Sequence, residues 1–503
     1  MEKINRKFYI IFTICIILIS ASSVSFEMPN DTFFTIRMGE DVFREGISNA
    51  DTLTFHEGLE FEHLRWAFDC LIAFIYNNFN FVGIYIFVVI MSVIISLTLF
   101  NILVSKKVNL LLAFVLVIFT ILSVGAGLVA RAQIVSYLLF LLEVYSVEKL
   151  IETEKKRYSV YLVIIAFLLV NFHASVFPVY FVLYMPYIAE YIMFKLKKKY
   201  DFIHGNMTEE KNEVTKKLTA SSFNILVLLK TMTIAIAAGL LSPSFIASYT
   251  YMIKCMGAYS KNLILELQQI DVLGSFGFLV VICAFLVILL VDKIKIKVSD
   301  FCMIIGFIFL SFVAVRNVII LYLIVPICFS RIIMSRGEIL DILPNEEDWR
   351  EHVMYKITLA LFTVILVITS CMNNYYTKFV NEKMYPVEAT KYILENVDTE
   401  NMRIFNHLNF GSYLELNYIK TFIDSRNEVY CDNFNDTKVL EDWDKTRSGK
   451  VSYKETFEKY GITHALLYKD EVINQYICDD EDYNLLYEDD YFVFYEKIKE
   501  ERK

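Results

Sequence analysis

The chain has 503 residues, enough for two or three ordinary domains; 56% of them are hydrophobic, 21% are charged, and the mean hydropathy is +0.47. Soluble globular proteins carry about 45–50% apolar and roughly 25% charged residues, so this composition argues against an ordinary soluble fold. The net charge of −9 belongs to the C-terminal part: residues 382–503 hold 27 acidic and 16 basic side chains, against 30 and 32 in residues 1–381. This balance argues against a nucleic-acid partner.

Eleven apolar segments are candidates for membrane spans, since a bilayer core requires about 20 mostly apolar residues per helix, with a range of roughly 17–25. Two of them, Val160–Asn171 and Phe301–Val315, are shorter than this. The pattern predicts a mainly α, polytopic transmembrane bundle. The segments are Phe8–Phe26, Phe81–Val104, Asn109–Ala130, Ala132–Ile151, Val160–Asn171, Val176–Phe194, Phe223–Pro243, Val272–Val291, Phe301–Val315, Asn317–Met334 and Val353–Met372.

Two segments near the N-terminus need a separate interpretation. Phe8–Phe26 follows a basic stretch and ends in small residues, which is typical of a retained first helix and also of a cleaved signal peptide. Arg65–Phe79 has apolar residues at helical spacing with polar interruptions. This pattern predicts an amphipathic helix that lies on the membrane surface rather than a span.

The distribution of lysine and arginine between alternate loops predicts the orientation, because short inner loops carry an excess of both. With the N-terminus inside, eleven spans place the first loop, residues 27–64, and the C-terminal part outside. The inner loops then hold Lys106, Lys107, Lys155, Lys156, Arg157, Lys195, Lys197, Lys198, Lys199, Lys211, Lys216, Lys217, Lys293, Lys295 and Lys297.

The sequence pattern predicts that residues 376–503 form a compact, autonomously folding α/β domain outside the membrane. This domain would follow a transmembrane domain of residues 1–375. Cys431 and Cys478 share this domain, and their pairing stays open because spacing does not test geometry. The predicted strands are Arg403–Phe405, Lys420–Asp424, Ala465–Tyr468, Leu485–Tyr487 and Tyr491–Glu496, with a hairpin turn at Asp489–Asp490, and the predicted helices are Pro386–Asn396, Tyr453–Tyr460 and one from Asn409.

The first outer loop is the part of the chain that could carry chemistry. It contains nine carboxylates and two arginines. An acid just after a first transmembrane helix, such as Asp31, lies at the lipid–water boundary. There it could serve as a general base or as a metal ligand for a hydroxyl that arrives from the aqueous side. The alternative is a loop that is simply acidic and solvated.

This loop resembles a known family. Asp31, Phe34 and Arg37, followed by Gly46, resemble the Asp-x-x-Phe-x-x-Arg…Gly stretch of oligosaccharyltransferase catalytic subunits. The likeness is closer to bacterial polytopic proteins of the GT-C glycosyltransferase superfamily, which are distantly similar to protein mannosyltransferases. Other segments that resemble the bacterial pattern, in chain order, are Arg131–Gln133, Asn171–Ser175, Leu241–Pro243, Glu266–Gln268, Arg316–Asn317, Tyr385–Pro386, Phe405–Leu414 and Phe422–Arg426.

The resemblance implies a GT-C-like fold with a retained first helix, and it implies that Asp31 activates the acceptor or binds a metal. Two positions depart from the family pattern, because Thr32 stands where Pro or Asp is usual and Ala132 where Pro is usual. No second Asp/Glu pair of the kind found in metal-dependent oligosaccharyltransferases is evident. The use of a divalent metal therefore stays open, and no nucleotide cofactor is expected.

Several cationic residues are candidates for binding a donor phosphate. Arg131 and Arg316 stand at outer helix ends, where an ionised group is expensive and often faces a cavity or a lipid headgroup. A guanidinium pairs bidentately with phosphate oxygens, and Lys254 could make a similar contact. The alternative for these residues is interfacial anchoring. Further candidates near the outer surface are Arg37, His63, Arg65 and His173, although a lone histidine is more often a hydrogen-bonded structural residue.

Together these features predict a multi-pass glycosyltransferase of the cell membrane, in the bacterial cytoplasmic membrane. It would transfer a sugar from a polyprenyl-phosphate donor to a glycan, lipid or protein acceptor on the outer face, with the bilayer as a further partner. Two other classes stay open. One is a polymerase, ligase or transporter of surface polysaccharide, and the other is a non-catalytic membrane protein of the cell envelope whose C-terminal domain binds partners.

Overall fold

The computed structural model describes residues 6–203, 224–272, 274–291, 294–335, 353–374 and 377–498. The chain forms two compact units. The first comprises Met1–Ser25, Tyr85–Tyr249 and Leu265–Tyr376. The second comprises Phe26–Ile84, Thr250–Ile264 and Thr377–Lys503. The predicted division at 375/376 between membrane and soluble parts stays a prediction, whereas the compact units group residues 26–84 and 250–264 with the C-terminal part.

Helices occupy all eleven predicted apolar segments, and one segment, Val176–Phe194, is divided between two consecutive helices. The helices before the C-terminal part are α1 (Arg6–Ser22), α2 (Asn30–Glu45), α3 (Trp66–Ser105), α4 (Leu110–Val124), α5 (Gln133–Thr153), α6 (Lys156–Phe172), α7 (Phe177–Val182), α8 (Met185–Ile203), α9 (Ile225–Gly239), α10 (Ala247–Gly257), α11 (Phe276–Leu290), α12 (Val298–Val313), α13 (Val318–Met334) and α14 (Val353–Asn374).

Four helical stretches in the described residues are long and apolar enough to cross a membrane. They are Trp66–Ser105, Ala174–Tyr200, Val315–Met334 and Met354–Met372. Shorter apolar helices at 110–124, 225–239, 276–290 and 298–313 accompany them. The predicted number of eleven spans and the orientation of the chain stay predictions.

The helices of the first unit pack both on neighbours in the chain and on helices that are distant in sequence. Helix α5 packs on α6, which also packs on α9, and α12 packs on α13 and α8. Helix α4 contacts α1 and α13, and α1 also contacts α14. Each contact buries the apolar stripe of one helix against that of another, as in other helical bundles.

Helix α3 is divided at Asn80, whose backbone has φ 53° and ψ −157°. These angles lie outside the helical region, so two helical segments, 66–79 and 81–105, meet there. The break lies between the predicted amphipathic helix Arg65–Phe79 and the predicted span Phe81–Val104. The structure therefore divides the two helices where the sequence interpretation does, and the surface position of Arg65–Phe79 stays a prediction.

The C-terminal part contains a four-stranded mixed sheet in the order β1-β2-β4-β3. Strand β1 is parallel to β2, and β4 is antiparallel to both β2 and β3. The hairpin turn at Asp489–Asp490 is confirmed. The elements are β1 (Ile404–Asn406), β2 (His464–Tyr468), β3 (Tyr483–Glu488), β4 (Phe492–Lys497), α15 (Val387–Asn396), α16 (Leu408–Leu416), α17 (Asp432–Asn435), α18 (Val439–Arg447), α19 (Tyr453–Tyr460) and α20 (Asn474–Ile477).

The predicted strand at Lys420–Asp424 is wrong, and the structure also shows the state of the two cysteines of the C-terminal part. Lys420–Asp424 is not a strand: Thr421 makes only isolated parallel bridges, one to Ile404 and one to Thr54. The run is apolar because Phe422 and Ile423 enter the core, and not because it extends the sheet. Cys431 is buried and Cys478 is exposed, and both are free thiols.

The core of the second unit is built from distant parts of the chain. Phe405, Ala465 and Val493 of the sheet belong to the same buried cluster as Leu53 and Phe61 of residues 27–64. Leu59 and Ala258 also belong to it. The C-terminal part therefore shares its core with residues 26–64, and its autonomous folding stays a prediction.

Candidate functional site

Asp31 lies in the first turn of helix α2, so the segment predicted as a loop begins with a regular helix. Helix α2 follows Pro29, whose carbonyl accepts a hydrogen bond from the Thr32 amide at 2.9 Å. Gly46 caps its C-terminal end. Gly46 adopts φ 83°, a conformation that favours glycine, and its N–H donates to the Val42 carbonyl at 3.0 Å. An acidic side chain in the first turn is favourable because the N-terminal end of the helix dipole is positive.

One side of helix α2 is covered by helix α16 of the C-terminal part. Phe33 makes edge-on ring contacts with Tyr385 and Tyr413, at centroid distances of 4.9 and 5.3 Å. The Asn30 side-chain amide donates to the Leu408 carbonyl at 2.9 Å. These contacts fix the start of α2, and with it Asp31, on the C-terminal part.

The other side of α2 packs on the first segment of α3. Only glycine fits at position 39 in this packing, because a Cβ there would overlap the Asp69 carbonyl and the Ala73 methyl group. The Arg65 guanidinium lies 4.0 Å from the ring centre of Phe34 and 3.3 Å from the Asp69 carboxylate. Helix α2 is therefore held between two elements and is not a solvated loop.

Arg37, His63 and Lys254 lie in the second unit with Asp31, and each has a contact that holds it. Arg37 is paired with Asp41 and lies 4.4 Å from the ring centre of Tyr418. The His63 ring, which is buried, contacts the Ser48 carbonyl at 2.6 Å through Nε2. Lys254 lies 3.5 Å from Glu62. Burial lowers the pKa of His63, so its ring is neutral at physiological pH.

A buried ionic network, the Arg426 network, connects the first loop to the C-terminal part. Arg426 contacts Asp424 through Nε at 3.0 Å, Asp51 at 2.6 Å and Glu415 at 3.5 Å, and all four side chains are fully buried. Burial opposes ionisation, but the guanidinium holds the pKa of Asp424 at about 2. Burial and the neighbouring Asp424 raise the pKa of Glu415 well above its usual range.

The first unit brings several of the resemblance segments together, at the end of α5 where Arg131 lies. Arg131 is ion-paired with Glu266, and the Gln268 carbonyl accepts the Val315 amide at 3.0 Å. The short helix Leu265–Leu267 packs on the turn Val315–Asn317, which contains Arg316. We call Arg131, Glu266, Gln268 and Arg316 the arginine cluster. Within the described part of the chain Arg316 has no ion pair.

Two further resemblance segments of the first unit are joined by hydrogen bonds. His173 is buried, and its Nδ1 lies 2.7 Å from the Ser136 hydroxyl on α5. The Asn171 side-chain amide donates to the Leu241 carbonyl at 3.2 Å. The interpretation of His173 as a hydrogen-bonded structural residue accounts for this geometry.

The C-terminal ends of α5 and α13, away from the arginine cluster, carry a second group of paired charges that the sequence interpretation missed. Arg331 is paired with both Glu148 and Asp300, and Lys106 is also paired with Glu148. The Glu190 carboxylate accepts the Ser299 amide at 3.0 Å, at the start of α12. The signal available in the sequence was an acidic residue inside each of two apolar segments, since such charges are paired when they are buried in a bundle.

The predicted site residues thus fall into two groups. Arg131 and Arg316 belong to the arginine cluster of the first unit, and His173 lies in the same unit. Asp31, Arg37, His63, Arg65 and Lys254 belong to the second unit, and their role in one site stays a prediction. Among the residues that the structure describes, no group of three or more His, Cys, Asp or Glu side chains is arranged to hold a metal ion.

The fold is similar to that of two solved membrane proteins. The oligosaccharyltransferase of Archaeoglobus fulgidus in its apo form has a TM-score of 0.56 at 11% identity, over 93% of this chain and 70% of that chain. ArnT of Cupriavidus metallidurans, solved with bound undecaprenyl phosphate, has a TM-score of 0.55 at 9% identity, over 98% of each chain. Both are GT-C glycosyltransferases. No family model matches the sequence, and a search of curated proteins found no match.

The chain therefore has a GT-C-like fold, with four helical stretches long and apolar enough to cross a membrane among the described residues, and the resemblance is confirmed at the level of the fold. At this identity the likeness extends to the fold alone. The similarity covers nearly the whole chain, including the C-terminal α/β part.

Proposed function

We propose that this protein is an integral membrane glycosyltransferase that takes a sugar from a polyprenyl-phosphate donor and passes it to an acceptor outside the cytoplasm. In the reaction the bond between the sugar C1 and the donor phosphate oxygen breaks, and a bond from C1 to an acceptor oxygen forms. Asp31 takes the acceptor proton as general base, and polyprenyl phosphate is the leaving group. Arg131 and Arg316 bind its phosphate, and Lys254 is an additional candidate for this role.

The observation that carries the proposal is the arginine cluster within a GT-C-like fold. Arg131 is paired with Glu266 of the short helix Leu265–Leu267, and the same helix packs on the turn that contains Arg316, so one segment of the first unit connects two arginines far apart in sequence. One of the two structural neighbours was solved with undecaprenyl phosphate, a lipid phosphate of the donor class proposed here. A guanidinium suits such a ligand because its donors match the geometry of phosphate oxygens.

The two arginines have different surroundings and hence different proposed roles. Arg316 has no ion pair in the described residues, so its donors are available to a phosphate. Arg131 is paired with Glu266, whose side chain is half exposed. Glu266 holds the Arg131 guanidinium in place, and the phosphate competes with this carboxylate or shares the guanidinium with it.

The first prediction tests these roles by sugar transfer from a polyprenyl-phosphate donor in membranes, at equal abundance of each variant. Asp31→Asn keeps the size of the side chain and removes the base, so we expect transfer to fall by about 10²–10⁴-fold. Arg316→Ala and Arg131→Ala should each raise the donor KM by roughly 10- to 100-fold, which corresponds to the loss of a hydrogen bond to a charged group.

Matched controls use residues of the same type outside the proposed site. Asp479→Asn removes an exposed carboxylate, and Arg157→Ala removes an exposed arginine beside Tyr158 in the first turn of α6. Both variants should transfer sugar like the parent. Full activity in Asp31→Asn would remove the assignment of the base, and a parent that is inactive with every donor tested would favour a non-catalytic role.

A further inference from the structure

The second unit contains a pocket that the proposed roles leave unused. It has a volume of about 240 Å³ and is lined by Tyr76, Phe81, Tyr413 and Tyr418 together with Glu40 and Asn417. We call it the Tyr418 pocket. The combination of aromatic rings with a few convergent polar groups is typical of a small-molecule site. Its volume is below the roughly 300 Å³ at which sites for drug-sized ligands begin, so it is suited to a single ring.

Tyr418, one of the residues that line this pocket, is held in an unusual conformation. Its backbone φ is 61°, which is rare for a bulky residue, and such strain clusters at ligand-binding positions. Its hydroxyl donates to Glu40 at 2.9 Å and accepts from Arg44 at 2.8 Å. The Arg37 guanidinium lies over the ring. These three contacts with α2 fix the orientation of one exposed aromatic ring.

Two polar groups that line the pocket have capacity for a ligand. Glu40 uses one carboxylate oxygen for Tyr418, and its other oxygen makes no hydrogen bond within the described residues. The Tyr76 hydroxyl likewise has no hydrogen-bond partner there. A hydroxyl-rich ring could donate to the first group and exchange a hydrogen bond with the second while its C–H face packs on an aromatic ring.

We infer that the Tyr418 pocket binds one neutral or amino sugar of the acceptor, so that the acceptor is a glycan. The charge of the lining favours this class, because the carboxylate of Glu40 attracts hydroxyl or ammonium donors and repels an acidic sugar. This inference rests on the proposed glycosyltransferase activity, and it adds the acceptor class that the proposed function leaves open.

The position of the pocket on α2 sets a minimum length for the acceptor. Glu40 follows Asp31 by nine residues on the same helix, which is about 13 Å at 1.5 Å per residue. A sugar in the pocket is therefore too far from the base to carry the reacting hydroxyl itself. The reacting hydroxyl belongs to another sugar of the same glycan, so an acceptor of several units should be used better than a monosaccharide.

The test measures binding and transfer separately, with the full chain in detergent or nanodiscs. Saturation-transfer NMR with methyl glycosides of neutral, amino and uronic sugars should detect a neutral or an amino sugar and no uronic acid. Tyr76→Phe and Glu40→Gln should each weaken that binding by roughly threefold to tenfold, as for loss of one hydrogen bond. They should raise the KM for a glycan acceptor by a similar factor and leave the donor KM unchanged.

The control is Tyr476→Phe, which removes the hydroxyl of an exposed tyrosine elsewhere in the second unit and should change neither measurement. If Glu40→Gln fails to fold, Tyr76→Phe decides alone, because it retains the ring. Glycoside binding without any transfer would contradict the proposed function and support the pocket. Unchanged glycoside binding in both pocket variants, or no binding of any glycoside by the parent, would overturn the inference, whatever the activity.

Discussion

At the scale of single residues, His407 shows how burial determines protonation. It precedes helix α16, and its Nδ1 accepts the Asn409 amide at 3.0 Å, so it must be neutral on that nitrogen to cap the helix. Its ring packs edge-on against Trp443 and Tyr468. Burial, with a smaller contribution from Arg447, lowers the pKa of His407 to about 3.

This shift predicts a dependence of stability on pH. Below pH 6.5 the unfolded histidine binds a proton that the folded one does not bind until about pH 3, so the stability contribution is present above pH 6.5 and lost as pH falls. The loss is about 1.4 kcal/mol at pH 5.5. His407→Asn retains a capping side chain and removes the titration, so thermal unfolding midpoints of the variant should fall less between pH 7.5 and 5.5.

The parent protein is the control for this experiment, because His56 and His63 also have lowered pKa values and contribute to its pH dependence. The difference between the two proteins isolates His407. An equal fall of the midpoint in parent and variant would show that His407 is protonated in the folded protein or exposed to water.

At the scale of elements, helix α2 is the part of the molecule on which the proposed chemistry depends. It carries Asp31 at one end and the Tyr418 pocket towards the other, and Gly39 lies between them. Its residues Thr32 to Ile36 are all buried, although they span more than one turn. Burial all round a helix requires a neighbour on each side, here α16 and the first segment of α3.

The close packing at Gly39 gives a prediction for this element. In Gly39→Ala the new methyl group would overlap the Asp69 carbonyl, so α2 must move away from α3. Overpacking of this kind costs about 1–3 kcal/mol, and we expect a lower unfolding midpoint together with slower transfer. The control is Gly306→Ala on α12, where an added methyl group meets nothing within 4 Å. A Gly39→Ala protein as stable as the parent would contradict the described packing.

The Arg426 network explains why the first loop stays with the C-terminal part. The Asp51 carboxylate accepts hydrogen bonds from the Thr54 hydroxyl and from the Leu53 and Thr54 amides. It therefore stabilises the turn that follows it and also pairs with Arg426. Removing one member of such a buried pair leaves a charge without compensation, which costs about 3–5 kcal/mol.

At the scale of the whole molecule, the shared core predicts how fragments behave. A fragment of residues 377–503 lacks Phe34, Leu53 and Phe61 of the core and lacks the Asp51 partner of Arg426. We expect it to bind a hydrophobic dye and to unfold without a cooperative transition. A matched fragment in which residues 27–64 are tethered to 377–498 should regain cooperativity in thermal unfolding. Cooperative unfolding of the short fragment would contradict this expectation and support an autonomous domain.

The predicted orientation is tested by the accessibility of single cysteines in intact cells. Cysteines at Glu57 and Glu400, both exposed in the second unit, should react with an impermeant thiol reagent, and one at Lys198 should not. The background protein needs serine at the exposed native positions Cys283, Cys371 and Cys478. Labelling at Lys198 with protection at Glu400 would reverse the topology.

The sequence by itself determined which segments are helical in the apolar part, because about 20 consecutive apolar residues have few other stable arrangements. It also determined the break near Asn80, the β3–β4 hairpin and helix Tyr453–Tyr460, since these depend on local periodicity and turn residues. The order of the resemblance segments indicated the GT-C-like fold.

Tertiary structure alone decided the rest. Asp51 and Arg426 are 375 residues apart, and nothing in the local pattern of either indicates the other. Residues 27–64 look like a solvated acidic loop because their apolar side chains are covered by distant segments rather than by neighbours in sequence. The run Lys420–Asp424 looks like a strand because Phe422 and Ile423 are buried in the core, yet only Thr421 forms bridges. Burial and charge pairing depend on which segments meet in space, and local periodicity carries no information about that.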